Sequence, residues 1–228
     1  MKSKTLSALV LSSTSLLVGN FAYADDNDSL EARTSFDHHV AAPANALEIG
    51  VATGYTQGVG PIGGSSQHVE DVARAGGAGE LDAMYRINAM FAVGAYGSFS
   101  KYATGDTLNS HADVLGASAG IQAAAHLRPE RSVDPWASVG AGWRGLWLSP
   151  DTGKNTSLQG LELARLQIGV DYRVNQDVSI SPVVGASLNM YLSEDSPMTT
   201  KYTEISDKKV NFMGFAGLAG RFDIGGKR

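Results

Sequence analysis

Ten charged residues (Glu48, Glu80, Asp82, Arg86, Arg144, Arg165, Asp171, Arg173, Arg221 and Asp223) fall on one parity within stretches that are otherwise apolar or small. Charges placed this way have two uses. Drawn together out of water they must pair, because each unpaired charge costs several kcal/mol. Arranged around an aqueous path, they would form the charged constriction of a pore. Nucleophilic chemistry is poorly supplied. The chain has no cysteine, so thiol catalysis, thiolate metal sites and disulfides are all excluded. Of the five histidines, His38, His39, His68 and His111 lie in polar stretches or at a strand margin, and His126 closes an alternating run. A serine activated by histidine needs both side chains on one side of a strand. Ser110 and His111 are adjacent and would point apart, while Ser66 and His68 sit in a Gly-rich loop. The histidine spacing gives no metal site, and no cofactor is implied.

The elements that carry the ten charges are strands. From Ala164 to Leu192 the even positions read Ala164, Leu166, Ile168, Val170, Tyr172, Val174, then Val178, Ile180, Pro182, Val184, Ala186, Leu188, Met190 and Leu192. The odd positions carry Arg165, Gln167, Gly169, Asp171, Arg173, Ser179, Ser181, Ser187 and Asn189. Period two marks strands, and Asn175-Gln176-Asp177 joins two of them in a tight hairpin. Pro182 lacks a ladder donor, so a bulge or break is expected there. Six further alternating runs begin near Leu47, Ala78, Phe91, Leu115, Ala137 and Asn211, and their polar parity holds the remaining charges. Tyr85, Trp143, Trp147, Tyr172 and Phe222 fall on the apolar parity toward strand ends, the expected position of membrane-interface aromatics.

Residues 1–24 carry Lys2 and Lys4, an apolar core, and Ala22-Tyr23-Ala24 before Asp25, which together read as a cleaved secretory signal. Removing the two lysines with it takes the net charge from -5 to -7, so nucleic acid is not an expected partner. Residues 25–45 read as a polar tail. The 27 glycines and the low charged fraction of 18% argue against surface helices and for a sheet.

The expected architecture is all-β, an eight-stranded antiparallel up-and-down transmembrane barrel over 46–224, followed by a short tail, 225–228. Closure removes the exposed strand edges. The connections alternate. Segments 58–75, 103–111, 150–157 and 194–208 are long or polar, whereas Asn88, 128–135 and 175–177 make shorter turns, the asymmetry of an outer-membrane barrel.

In this pattern, above all over Leu163–Tyr172 and Phe212–Phe222, the chain resembles the small eight-stranded outer-membrane barrels of the protein A, X and W types. The resemblance covers about Ala46 to Ile224. It implies residence in the outer membrane of a Gram-negative envelope, contact with outer-membrane lipids and lipopolysaccharide, and delivery by the insertion machinery. Such barrels usually end in an aromatic residue that this machinery reads; here Phe222 is followed by Asp-Ile-Gly-Gly-Lys-Arg. The resemblance further implies a structural or surface-interaction role, with loops 58–75 and 194–208 as candidate carriers of an extracellular ligand. An eight-stranded barrel has room only for side chains, so the ten charges are expected to fill the lumen: Glu48 between Arg86 and Arg221, and Glu80 or Asp82 against Arg144 or Arg165. The alternatives are a narrow porin-like channel, a lipid A-modifying enzyme, and a soluble lipocalin-like lipid carrier with the apolar face turned inward.

Overall fold

The computed structural model describes residues 39–64, 67–106, 112–150, 155–195 and 202–227. The signal segment, most of the polar tail, Ser66 and His111 lie outside these residues. Among the described residues are nine strands and one helical turn: β1 (Ala46–Val59), α1 (Val69–Val72), β2 (Ala73–Arg86), β3 (Phe91–Thr104), β4 (Asp113–His126), β5 (Val133–Ser149), β6 (Thr156–Arg173), β7 (Val178–Asp195), β8 (Thr203–Glu204) and β9 (Val210–Ile224). Each long strand pairs antiparallel with its sequence neighbour, β9 returns to β1, and β6 pairs with β7, so eight strands close on themselves. The two-residue β8 hangs on the end of β7. Among the described residues no helix is long and apolar enough to cross a membrane, and the strands form the wall instead.

Alternation decides which way each side chain faces. Val51, Leu81, Ile121, Val139, Ile168, Val184 and Leu218 are all exposed, whereas Glu48, Arg86, Arg144, Arg173 and Asp223 are buried. The apolar parity is therefore the outside of the barrel. This excludes the soluble carrier reading, in which the same residues would line a cavity, and it fits a wall solvated by lipid.

Turn chemistry fixes the short connections. Asn88 Oδ1 accepts from the backbone N–H groups of Met90 and Phe91, both at 2.8 Å. Asn175 Oδ1 does the same for Asp177 (2.8 Å) and Val178 (2.9 Å). An Asn side chain that replaces a backbone acceptor in this way holds the turn without help from elsewhere.

Several sequence expectations need correction. The first long loop is shorter than 58–75, because β1 runs on to Val59 and β2 begins at Ala73 rather than near Ala78, with α1 in the gap between. The break expected at Pro182 is present, without a bulge. The β6 ladder omits Val170 and Asp171 opposite Pro182 and Ser181, then resumes at Tyr172↔Ile180 in the register it held at Gly169↔Val183. The missing N–H interrupts one ladder only, since Pro182 still sits opposite Leu218 in β9. A bulge lies elsewhere, at Leu163, an extra residue in β6 that shifts register against both β5 and β7, and a second shift against β7 falls between Gln159 and Gly160. Leu163 and Ala164 are consecutive and both face out. Such a bulge reverses parity, so before it the even positions point inward.

Residues 39–45 are not a loose tail. They cross the end of the barrel that carries the short turns. Val40 and Ala42 donate to the carbonyls of Glu130 (3.2 Å) and Pro129 (2.7 Å) in the β4–β5 connection, and Ala44 exchanges two bonds with Lys227 (2.8 and 2.7 Å). Gly225 and Gly226 take φ of +73° and +91° to bring Lys227 back to Ala44. A Cβ on Gly226 would lie 2.7 Å from the Ala44 carbonyl oxygen. Gly226→Val is therefore expected to release this strap. Hydrogen exchange at Ala42 and Ala44 should speed up while the amides of β1 keep their protection; unchanged exchange would show that the glycine geometry does not matter.

Candidate functional site: the filled lumen

The barrel interior is stacked in layers, each supplied by inward residues of several strands. At the short-turn end, Arg86 of β2 is the hub. Its NH2 lies 2.5 Å from Glu48 Oε2 and its Nε 3.0 Å from Asp223 Oδ1. Arg221 lies 3.6 Å from the other Glu48 oxygen and 3.5 Å from Asp171, while Arg173 holds the second oxygen of Asp223 at 2.9 Å. Glu48 thus stands between Arg86 and Arg221. The Arg221 guanidinium lies over the Trp136 ring, 3.7 Å from its centroid, and the indole N–H donates to Ser181 Oγ at 2.9 Å. A cation stacked on a desolvated ring gains attraction from the ring face.

His126 joins the same layer. Its Nε2 is 3.3 Å from Arg86 NH2, and its Nδ1 is 2.8 Å from Asp134 Oδ2. A guanidinium can only donate, so Nε2 accepts and Nδ1 carries the proton given to Asp134. His126, Asp134 and Asp171 present ligand atoms within 4.8 Å of one another. That grouping goes beyond what histidine spacing conveyed, but the Nδ1 lone pair a metal would need is already bonded to hydrogen. Arg86, Arg173 and Arg221 also supply the positive charge of this layer.

The middle layer is built on Arg165, which contacts Glu80 and lies over the Tyr96 ring, 4.5 Å from its centroid. Gln167 Nε2 donates to Glu80 Oε1 at 3.1 Å, Gln122 Nε2 donates to Asp82 Oδ1 at 2.7 Å, and Tyr96 OH donates to Glu162 Oε2 at 2.6 Å. Asp82 therefore meets an amide rather than an arginine. Above it, Arg144 meets no carboxylate within ion-pair distance among the described residues and donates instead to Tyr102 OH at 2.9 Å. A cavity of about 30 Å³ remains between these groups.

The long-loop end is sealed by apolar side chains. Ile62, Val69, Val72, Leu146, Leu148, Leu158, Tyr191 and Ile205 are buried in one cluster over Tyr102 and Met213. The first and last long loops meet there: Gly63 pairs with Lys208, and Gly64 N–H donates to the Asp207 carbonyl at 3.1 Å. The Gly63 φ of +94° allows that approach. The two loops expected to carry a ligand thus also form the cap of the barrel.

On the outer surface, Tyr85, Tyr172 and Phe222 are exposed near the short-turn ends of their strands, level with Phe91. Trp143 and Trp147 pack at 5.9 Å, tilted by 54°, higher on β5. Tyr55, Phe99 and Phe212 extend this upper belt. Among the lumen residues, sequence alone did not place Glu162, whose parity is hidden by the Leu163 bulge, Asp134, which fell in the expected turn 128–135, or Trp136, which fell between that turn and the run from Ala137. Extending the parity of Ser138 back across Pro135 would have found the last two.

No protein-family model matches the chain, and no curated protein matches it either. Solved structures do. Neisserial surface protein A superposes with a TM-score of 0.53 at 15% identity, over 77% of this chain and 96% of that one. The outer membrane protein OprG from Pseudomonas aeruginosa gives 0.51 at 11% identity, over 81% and 99%. The chain therefore has the fold of the small eight-stranded outer-membrane β-barrels. At these identities the likeness covers the fold and stops there.

Proposed function

We propose that this protein is a non-conducting barrel of the outer membrane with a structural or surface-interaction role, exported by a cleaved leader and exposing its long loops to the outside. The supporting observation is the occupied lumen. Ion-paired side chains fill its lower and middle layers, and an apolar cap of loop residues covers the top. In this reading the outward apolar band contacts outer-membrane lipids and lipopolysaccharide, Phe222 is the aromatic presented to the insertion machinery, and the long loops within 58–75 and 194–208 meet extracellular partners. Loops carried on a rigid scaffold are where recognition residues concentrate.

Planar-bilayer recording tests the closed lumen. The wild type is expected to give no discrete steps, and neither are Arg144→Ala nor Arg165→Ala, because each removes one plug residue and leaves the cap in place. Reproducible unitary steps in the wild type would establish the porin-like alternative instead.

A further inference from the structure

The outer wall is not evenly covered. Over β3–β5, in the half nearer the short turns, it carries an open apolar groove of about 560 Å³ whose outward-facing residues are Val93, Ile121, Ala123, Val139 and Ala141. Register explains the shape. Ala123 stands between Val93 of β3 and Val139 of β5, so a methyl group forms the floor and two branched side chains form the banks. Below it, Ala125 lies between Phe91 and Ala137 and continues the floor toward the β4–β5 connection. Ile121 closes the upper end. The six residues from Ile121 to Leu127 cover about 20 Å along the strand and about 15 Å along the membrane normal at the usual tilt, half of a hydrocarbon core of about 30 Å. That is the depth of one leaflet.

The lower end opens on cations. Arg128 and Arg131 follow Leu127 in the β4–β5 connection, both exposed, with Glu130 as the one acidic residue between them. This connection is held in place: Arg128 N–H donates to Asp134 Oδ1 at 2.8 Å, Arg131 N–H donates to the Arg128 carbonyl at 3.0 Å, and the strap donates to the Pro129 and Glu130 carbonyls. The other short turns, 87–90 and 174–177, carry no cation, and Asp177 makes the second one acidic. Groove and cations therefore coincide at a single turn.

We propose that the groove and the two arginines bind one anionic phospholipid of the periplasmic leaflet, with an acyl chain lying over Ala123 and Ala125 and the phosphate at Arg128 and Arg131. The inference rests on the membrane placement proposed above and adds to it a lipid class and a position. A sunken alanine floor between larger side chains gives a flexible chain dispersion contacts on three sides, where a flush wall gives one. Guanidinium groups take phosphate oxygens in paired, charge-assisted hydrogen bonds. A zwitterionic lipid carries the same phosphate, but its ammonium group cancels the charge that two arginines against one glutamate would recognise. A second copy of the chain fits less well. Two barrels inserted in the same direction and packed through this face would bring Arg128 and Arg131 of each to one level and repel. Lipopolysaccharide, in this placement, belongs to the opposite leaflet.

The test is native mass spectrometry of the full barrel released from micelles that hold equal amounts of phosphatidylglycerol and phosphatidylcholine with the same acyl chains. One phosphatidylglycerol is expected to stay on each barrel, preferred over phosphatidylcholine by roughly fivefold to thirtyfold, as one to two arginines near a lipid surface would give. Arg128→Gln combined with Arg131→Gln should abolish the preference. Ala123→Phe fills the groove floor and should lower retention of both lipids. These positions face outward, so each variant is expected to keep the fast migration of a folded barrel in detergent gels. Lys101→Gln, which removes an exposed cation at the long-loop end of β3, should retain lipid as the wild type does. Because the barrel is in detergent, this measurement reads the site by itself; a wrong membrane placement shows separately, as absence of the protein from outer-membrane fractions. Equal retention of the two lipids by the wild type, preferential retention of lipid A added in competition, a lipid-free dimer, or a preference that survives the double arginine change would each overturn the site.

Discussion

Arg86→Met should destabilise the barrel by about 3–5 kcal/mol, the usual cost of removing one partner from a buried charge network. Methionine keeps most of the length and apolar volume of the side chain, so the loss reports the charge. Arg86 is 1% exposed and binds Glu48 and Asp223 at once, while its NH2 also reaches His126. Without it, Glu48 keeps only the longer contact to Arg221, and His126 Nε2 loses its donor. Urea unfolding in lipid vesicles, followed by tryptophan fluorescence, measures the change. The double variant Arg86→Met with Glu48→Gln removes both charges and should recover a substantial part of the loss, since contacting residues are not additive. A single-variant cost below about 1 kcal/mol would mean that water already screens this layer.

The second large effect belongs to the outer surface. Ile121 is 74% exposed and lies near the middle of β4, whereas Leu127, 68% exposed, follows the end of the same strand. If lipid surrounds the wall, Ile121→Arg should cost about 2–4 kcal/mol and Leu127→Arg only about 0–1 kcal/mol, because the penalty for a charge falls off from the bilayer midplane to the interface. In water the two substitutions would be nearly equal and each within about 0.5 kcal/mol, as for other exposed positions. The difference between the two sites, measured in the same vesicles, therefore tests the membrane placement directly. Equal costs would reject it.

Much of this wall could be read from the sequence, because a period of two is a local property. Leu166, Ile168 and Val170 announce their outward face from three alternate positions, and Asn88 and Asn175 announce the turns through side chains that bond two and three residues on. The lumen was legible to the same extent: residues of one parity must meet once the sheet closes. The limits have equally physical causes. At Leu163 one inserted residue reverses the parity, and nothing in the local pattern separates a bulge from ordinary alternation, so Glu162 was hidden. Ile62, Val69, Val72 and Ile205 are lone apolar residues in polar runs, and only the meeting of loops about 140 residues apart in sequence turns them into a cap. Pro182 was legible too: its missing donor breaks the ladder with β6, while the pairing with β9 on the other side keeps the strand in line.

The strap across the short-turn end also has a mechanical meaning. A pull on the segment before His39 loads the Val40 and Ala42 bonds to the β4–β5 connection first. Only after these yield does tension reach Ala44 and Lys227, and through them the seam where β1 meets β9. The first and last strands of the barrel, whose separation would open the whole cylinder, are thus shielded behind a set of sacrificial bonds anchored on the opposite side of the wall.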